Sequence, residues 1–177
     1  MKKIKKTKIV ILDRDGVINK NQINGGYIGY EKDFYWQKGA KTTIKYLKKL
    51  NYKIFVVTNQ SGIARNFFKY RDVVKLHKSI NAKLKEENSE IDGFYFCPHH
   101  QDGVIKKYSI KCKCRKPETN LFNKIKKKFK IDYNKSFMIG DQKTDMIFAK
   151  RVKIKGFLFK DGSLYNFVKN KLNNAKK

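Results

Sequence analysis

Five short apolar runs alternate along the chain with segments whose apolar residues recur at helical spacing. The runs are rich in β-branched and aromatic residues and are apolar throughout, which is typical of strands buried on both faces. They are Lys8–Leu12, Lys53–Thr58, Gly93–Phe96, Ser136–Ile139 and Gly156–Phe159. The pattern predicts an α/β protein with a central parallel sheet.

Amphipathic segments fill the intervals between these strands, with apolar residues three or four apart on one side. The predicted helices contain Ala40–Leu47, Val73–Leu84, Leu121–Phe129, Met146–Ala149 and Leu164–Val168. Helices on both faces of a parallel sheet make a three-layer domain. Because the 177 residues contain no repeat and no linker-like segment, we expect a single domain over 1–177, with disordered basic ends at 1–7 and 171–177.

Acidic residues follow two of the predicted strands at the point where each strand ends. Asp13 and Asp15 come directly after the first strand, and Asp141 follows the fourth, with Asp145 one helical turn later. The carboxyl ends of parallel strands share one edge of the sheet, so these carboxylates are expected to lie together. Such a set can hold a hard cation and supply both a nucleophile and a proton-transfer group. The alternative is that aspartate at a strand end only forms a turn.

Groups suited to phosphate binding stand at the same predicted edge. Thr58 ends the second strand and is followed by Asn59, Gln60 and Ser61, which offer hydroxyl and amide groups to an anion. Lys116, in the segment Arg115-Lys116-Pro117, could neutralise a phosphoryl group. Each signal is weak alone, since polar loops and lysines are common here. Together with the acids they indicate phosphoryl transfer.

Three cysteines and two histidines form a second cluster, Cys97-Pro98-His99-His100 followed by Cys112-Lys113-Cys114. Three thiolates and one imidazole make the closed four-ligand set of a structural zinc site. The predicted ligands are Cys97, His99, Cys112 and Cys114. Two alternatives stay open: His100 could replace His99, or the cysteines could be free and buried. The third histidine, His77, falls on a predicted helix and is expected to be structural.

Composition bears on partners and location. The formal net charge of +28 favours a nucleic-acid partner, but the lysines are spread from Lys2 to Lys177, which is typical of a solvated surface. Three closely spaced cysteines are typical of a metal site in a reducing compartment. The apolar run after the basic start is too short for a signal peptide, and no segment could cross a membrane. We therefore expect a cytoplasmic protein.

These motifs together resemble the haloacid dehalogenase (HAD) superfamily of aspartate-nucleophile phosphatases. The resemblance runs from Ile9 to Gly162 and rests on Leu-Asp-Arg-Asp-Gly, Val-Thr-Asn-Gln-Ser-Gly-Ile-Ala-Arg, Cys-Pro-His-His, Cys-Lys-Cys-Arg-Lys-Pro and Ile-Gly-Asp. Within the superfamily the chain is most similar to the heptose bisphosphate phosphatases, with the histidinol-phosphatases as near relatives. The long loop from His99 to Cys112 favours the heptose type. The resemblance implies a HAD-like Rossmannoid fold of three layers.

The resemblance also implies roles for individual residues. Asp13 would be the nucleophile and Asp15 the general acid and base, with Thr58 and Lys116 as further catalytic residues that hold the phosphate. Magnesium would be bound by Asp13, the Asp15 carbonyl and Asp141. Substrate contacts are implied for Gly25, Gly26, Tyr27, Thr58, Asn59, Gln60, Ser61, Arg115 and Lys116. One departure is Gln142, which stands where the family has lysine.

The resulting expectation is a phosphatase that uses Mg²⁺ for chemistry and Zn²⁺ for structure and acts on a small sugar phosphate. The resemblance implies a monomer, and neither a membrane nor nucleic acid is expected as a partner. The enzymatic alternatives are a histidinol-phosphatase and a polynucleotide 3′-phosphatase. A zinc-stabilised nucleic-acid-binding module without catalysis is a third alternative, which the complete set of acids argues against.

Overall fold

The five predicted strands form one parallel sheet in this computed structural model, which describes residues 6–22, 25–87 and 89–174. The strands are β1 (Ile9–Leu12), β2 (Lys53–Asn59), β3 (Gly93–Cys97), β4 (Phe137–Gly140) and β5 (Lys155–Leu158). Their order across the sheet is β3-β2-β1-β4-β5, and every neighbouring pair is parallel. The predicted strands are therefore confirmed, with ends displaced by no more than one residue.

The described part of the chain contains five α-helices, of which the first four connect successive strands and the fifth follows β5. They are α1 (Ala40–Lys49), α2 (Tyr70–Lys85), α3 (Asn120–Lys126), α4 (Lys143–Arg151) and α5 (Leu164–Asn174). Short 3₁₀ turns occupy Glu31–Asp33 and Tyr133–Lys135. α3 ends at Lys126, three residues before the predicted end at Phe129. Phe129 then packs on Phe55 of the sheet, with ring centroids 5.5 Å apart.

Side-chain alternation along the strands divides the apolar residues between two cores. Val10 and Leu12 of β1 pack with residues of α1, α2 and α5, whereas Ile9 and Ile11 pack with residues of α3 and α4. All four side chains are buried completely. Full burial of one aliphatic side chain contributes about 1.5–3 kcal/mol, so both faces of the sheet hold helices in place. This confirms the predicted three-layer α/β fold.

The strand order reverses beside β1, because β2 and β3 extend the sheet to one side and β4 and β5 to the other. In open parallel sheets, ligands bind at such a reversal, outside the carboxyl ends of the strands. Asp13 follows β1 directly, and its backbone N–H donates to the carbonyl of Ile139 in β4 across 2.9 Å. Asp141 follows β4. The topology therefore brings the two acidic strand ends side by side.

The ordered structure extends into both predicted basic ends. The backbone of Thr7 pairs with the segment around Ile131, and α5 continues to Asn174. The remaining parts of those ends, 1–5 and 175–177, lie outside the described residues. None of the described helices has both the length and the apolar character needed to span a bilayer.

Candidate active site

A polar cavity of about 270 Å³ opens at the carboxyl ends of β1 and β4. Most of the predicted catalytic groups share it. Its lining comprises Asp13, Asp15, Asn21, Thr58, Asn59, Arg115, Lys116, Asp141, Gln142, Thr144 and Asp145. A larger groove of about 510 Å³ lies between α2 and the edge strand β3, but it contains none of these acids. The residues predicted to carry the chemistry therefore line the smaller, more polar cavity.

Lys116 lies between two carboxylates at the floor of this cavity. Its Nζ is 3.0 Å from Oδ1 of Asp13 and 2.6 Å from Oδ1 of Asp145, and all three residues are buried. Burial alone would lower the pKa of Lys116, but the two carboxylates outweigh that effect and raise it. The ammonium group therefore stays charged between the two carboxylates.

The buried Asp13 carboxyl group is short of positive charge. Burial is the main reason that its pKa is raised to about 7; Lys116 lowers the pKa, whereas Asp145 and Asp15 raise it further. Its Oδ1 also accepts a hydrogen bond of 2.7 Å from the backbone N–H of Arg14. A nucleophilic carboxylate must be ionised. A cation beside the acids would stabilise that form.

Three carboxylates could provide a site for such a cation. Oxygen atoms of Asp13, Asp141 and Asp145 lie within 4.8 Å of one another. Oδ2 of Asp141 accepts hydrogen bonds from the amides of Asn21, at 3.2 Å, and Gln142, at 2.9 Å. Donors that are all oxygen fit Mg²⁺. Asp145 has no predicted role in the sequence pattern, although its spacing of four residues from Asp141 is a signal that could have identified it.

Two glycines allow these acids to approach each other. Gly16 has a φ of 79°, in the left-handed region, and a Cβ there would collide with the carboxylate of Asp141. At Gly140, the last residue of β4, a Cβ would collide with the side chain of Asp145. Any larger residue at either position would push an acid out of the cluster.

The carboxylate of Asp15 is held by a layer of polar side chains. It accepts hydrogen bonds from Arg14, from Asn19 at 2.9 Å and from Gln60 at 2.8 Å. The amide of Gln60 also donates to Thr58 Oγ1 across 3.1 Å. The structure thus places Gln60, predicted as a substrate contact, behind the cavity, where it bonds to two other site residues.

Asn59 fixes the backbone of Lys116. Its Oδ1 accepts from the Lys116 N–H at 2.9 Å, and its Nδ2 donates to the Lys116 carbonyl at 3.2 Å. This paired contact joins the end of β2 to the segment that carries the lysine. The neighbouring Ser61 is buried and is not among the residues that line the cavity.

The predicted substrate loop lies apart from this cavity in the structure. Gly25, Gly26 and Tyr27 are not among its lining residues. Tyr27 stacks instead on Phe67, with ring centroids 4.9 Å apart and an interplanar angle of 25°. Contacts from these three residues to a substrate therefore stay a prediction.

A second cavity of about 270 Å³ adjoins the first and shares Arg115 with it. Lys111 and His100 line this second cavity. Burial, followed by Arg115 and Arg65, lowers the pKa of His100, and Nη2 of Arg65 lies 3.4 Å from its Nδ1. The lining of the second cavity carries three cations, Lys111, Arg115 and Lys116, and one acid, Glu118, so positive charge predominates there.

The four predicted zinc ligands meet at one point. Sγ of Cys97 lies 3.5 Å from Sγ of Cys112 and 3.0 Å from Sγ of Cys114, and Nδ1 of His99 lies 3.2 Å from Sγ of Cys114. Ligand atoms about 2.3 Å from a tetrahedral zinc ion would be about 3.7 Å apart. All three cysteines are free of disulfides. The cluster therefore has the donors and the spacing to hold one metal ion, with His99 rather than His100 as the nitrogen donor.

His77 lies on α2 and packs into the interior, as expected of a structural residue. It is buried, and its ring stacks on Phe94 with centroids 4.6 Å apart. Nε2 lies 3.4 Å from Nη1 of Arg14. Burial, and secondly the charge of Arg14, lower the pKa of His77 well below its ordinary value.

Comparison with known proteins agrees with this geometry. The family described as polynucleotide kinase 3 phosphatase matches residues 8–161. The chain belongs to this family, within the HAD superfamily of phosphatases. It is thus an enzyme that hydrolyses phosphate monoesters.

Named relatives of the phosphatase are similar over nearly its whole length. The D-glycero-beta-D-manno-heptose-1,7-bisphosphate 7-phosphatase of Rhodopseudomonas palustris is 38% identical over 158 residues, covering 89% of this chain and 86% of the relative. The D-glycero-alpha-D-manno-heptose-1,7-bisphosphate 7-phosphatase of Photorhabdus laumondii is 35% identical over 158 residues, covering 89% and 85%.

A solved structure shares the fold. The D,D-heptose 1,7-bisphosphate phosphatase of B. bronchiseptica, complexed with magnesium and phosphate, superposes with a TM-score of 0.81 at 22% identity. The alignment covers 95% of this chain and 99% of that one. It confirms the HAD-like architecture.

The buried, neutral state of His77 makes stability depend on pH. In the unfolded phosphatase this histidine binds a proton near pH 6.5, whereas in the folded state it stays neutral. The free energy of unfolding should therefore fall as the pH drops below about 6.5, by up to about 1.4 kcal/mol per pH unit. Urea unfolding of wild type and His77→Phe at several pH values should show the wild type losing stability relative to the variant between pH 7.5 and 5.5. A difference that is constant with pH would contradict a neutral His77.

Proposed function

We propose that this phosphatase removes the 7-phosphate of D-glycero-D-manno-heptose 1,7-bisphosphate. The observation that carries the proposal is the pair of adjoining cavities, one with Asp13 and the acids, the other with Lys111 and His100, joined by Arg115 and Lys116. A bisphosphate needs one position for the reacting phosphate and a second cationic position for the other. The similarity to relatives named for this reaction supports the same substrate.

Asp13 is the proposed nucleophile. One of its carboxylate oxygens bonds to phosphorus as the bond from phosphorus to the sugar oxygen breaks, and the leaving oxygen takes the proton of the Asp15 carboxyl group. Asp15, now ionised, accepts a proton from a water molecule whose oxygen attacks the phosphorus of the aspartyl phosphate. Inorganic phosphate leaves, and both aspartates return to their starting states.

Positive charge allows an anionic nucleophile to meet an anionic phosphate. The ammonium of Lys116 and the hydroxyl of Thr58 would hold the transferring phosphoryl group. Mg²⁺, when bound, would further reduce the repulsion between carboxylate and phosphate. Asp13 and Asp141 would hold it, together with the Asp15 carbonyl, and the structure adds Asp145 as a further candidate ligand.

A structural Zn²⁺ is proposed for the cysteine and histidine cluster. A closed set of four ligands leaves no position for a reactive water, so this ion would serve structure and not chemistry. Arg115 and Lys116 follow the last ligand directly, and Nη1 of Arg115 donates to the carbonyl of His99 across 3.3 Å. Zinc would therefore fix two cations relative to the phosphate site.

The proposed setting is the supply of heptose precursors for lipopolysaccharide or another surface polysaccharide. The free thiols fit the reducing cytoplasm as its location, and we propose a monomer. A polynucleotide 3′-phosphate is the second candidate substrate, favoured by the family description and by the net charge of +28. The small volume of the acidic cavity, about 270 Å³, favours the sugar.

Replacement of the nucleophile should abolish turnover. Asp13→Asn retains the shape of the side chain but removes its negative charge, so phosphate release with Mg²⁺ should fall by several orders of magnitude. Asp161→Asn, an exposed acid outside the cavity, is the matched control and should keep wild-type activity. If folded Asp13→Asn remains active, another group is the nucleophile.

Substrate preference distinguishes the candidates. We expect kcat/KM for heptose 1,7-bisphosphate, measured for both anomers, to exceed that for histidinol phosphate and for 3′-phosphorylated DNA. The reason is that the second phosphate of the bisphosphate would occupy the second cavity, whereas histidinol phosphate has no second phosphate and a DNA strand is too bulky for an acidic cavity of about 270 Å³. Arg115→Met should reduce this preference mainly through KM, because it removes charge from the second position. A dominant rate on DNA ends would overturn the proposal and would give the positive surface a function.

Loss of a zinc ligand should weaken both the fold and turnover. Cys112→Ser removes one of four donors, so the purified protein should contain less than one zinc per chain and unfold at a lower temperature. Turnover should also fall, because Arg115 and Lys116 lose a fixed position. Ser109→Ala, in the same loop but outside the ligand set, should keep its zinc. Wild-type protein purified without chelator and found free of zinc would refute the assignment.

A further inference from the structure

Arg14 stands between the two aspartates of the site, yet its side chain is completely buried, with 0% exposure. Burying a guanidinium group costs free energy unless charge and hydrogen bonds compensate it. The groups around Arg14 must therefore compensate the charge of its buried guanidinium.

The guanidinium group makes contacts in three directions. Toward the cavity it bonds to both oxygens of Asp15: Nε is 3.1 Å from Oδ1, and Nη2 is 2.9 Å from Oδ1 and 3.0 Å from Oδ2. Nη2 also donates to the backbone carbonyl of Ile28. On the side facing α2, Nη1 lies 3.4 Å from Nε2 of His77.

The partner behind Arg14 holds no competing charge. Because the pKa of His77 is lowered, its ring stays neutral and can accept a hydrogen bond from the guanidinium. The ring is itself fixed between Phe94 and Phe96, with centroid distances of 4.6 and 5.4 Å. The guanidinium therefore has a rigid support on one side and Asp15 on the other.

Asp15 depends on this support for its direction. Its side chain is 29% exposed at the cavity, and its other partners in the described structure are the neutral amides of Asn19 and Gln60. Charge-assisted bonds from a guanidinium are stronger and more directional than those from amides. Without Arg14, only the amides of Asn19 and Gln60 would hold the carboxyl group, and it would be less tightly restricted to one rotamer.

We propose that Arg14 is a positioning residue for the proton-transfer step: it aims the carboxyl group of Asp15 at the leaving oxygen and ties that group to the loop at Ile28. The inference rests on the proposed role of Asp15. Arg14 itself touches neither the phosphate nor the leaving group. Its side chain acts only through Asp15, whereas its backbone N–H bonds to Asp13 whatever the side chain is.

The proposal makes the effect of Arg14 depend on the leaving group. In the first step an alkoxide must receive a proton as it departs, whereas p-nitrophenolate leaves without one, so in that step only the former needs a well-aimed Asp15. The later hydrolysis of the aspartyl phosphate also uses Asp15, but it is common to both substrates and does not enter kcat/KM, which reports only the steps up to departure of the leaving group. The experiment compares kcat/KM of wild type, Arg14→Met and Arg14→Lys on two compounds. These are p-nitrophenyl phosphate and the alkyl phosphate on which the wild type is most active.

Two further variants complete the design. Asp15→Asn removes the acid itself and shows how much more its loss slows the alkyl phosphate than p-nitrophenyl phosphate. Ser136→Ala removes buried hydrogen bonds to Ile9 and Asp132 at the opposite edge of the sheet. It measures what a loss of stability alone does to turnover. Ser136→Ala should lower the melting temperature and should change kcat/KM for the two substrates by the same factor.

In Arg14→Met, kcat/KM for the alkyl phosphate should fall by about 10²-fold, within the usual range for a misplaced proton donor. The value of kcat/KM for p-nitrophenyl phosphate should fall by a few-fold at most, whereas kcat falls for both substrates to the extent that the shared hydrolysis step limits turnover. Arg14→Lys, which keeps the charge but not the forked geometry, should lie between wild type and Arg14→Met. It also keeps the test decisive if Arg14→Met does not fold.

Equal losses of kcat/KM on both substrates, or no loss, would overturn the inference. If Asp15→Asn discriminates between the substrates and the Arg14 variants do not, Arg14 has no positioning role and the acid assignment stands. If Asp15→Asn does not discriminate either, the proposed acid is wrong, and the role of Arg14 falls with it. The two failures are therefore distinguishable.

Discussion

The buried ammonium of Lys116 is the interaction on which the site depends. It lies between Asp13 and Asp145, which come from the ends of β1 and the start of α4. Without this cation, two buried carboxylates would face each other with little to offset their repulsion. The Nζ atom of Lys116 must therefore lie between the two carboxylates, and several neighbouring contacts hold the lysine there. Asn59 clasps its backbone, and the cysteine and histidine cluster ends two residues before it.

The sheet supplies the rest of the arrangement. Because the strand order reverses at β1, residues that are distant in sequence lie together in the crevice at the carboxyl ends of the strands. Asp13 and Asp141 come from neighbouring strand ends. Gly16 leaves room for the carboxylate of Asp141, and Gly140 leaves room for the side chain of Asp145. Asp145 is placed by α4, where its Oδ2 accepts from the N–H of Gln142 at 3.0 Å and caps the first turn.

Much of this could be predicted from the sequence, and the reason is periodicity. Apolar runs fixed the strands, and acids directly after them had to share an edge, so Asp13, Asp15 and Asp141 were found by topology alone. Spacing likewise singled out Cys97 and its three partners. The contacts of Arg14 and Gln60 could not be predicted, because a loop side chain's direction depends on its packing against other elements. Nothing in the local sequence shows that Arg14 turns inward to His77 of α2.

The charge of the molecule has a kinetic consequence. Four of its 15 acidic residues, Asp13, Asp15, Asp141 and Asp145, stand at one small cavity, while 43 lysines and arginines leave a net charge of +28. A dianionic or tetra-anionic ligand therefore meets an attractive field well before it meets the carboxylates. Long-range attraction of this kind is screened over about 8 Å at physiological ionic strength. Encounter thus depends on the cationic side chains within about that distance of the cavity, whereas discrimination among phosphates depends on the few groups inside it.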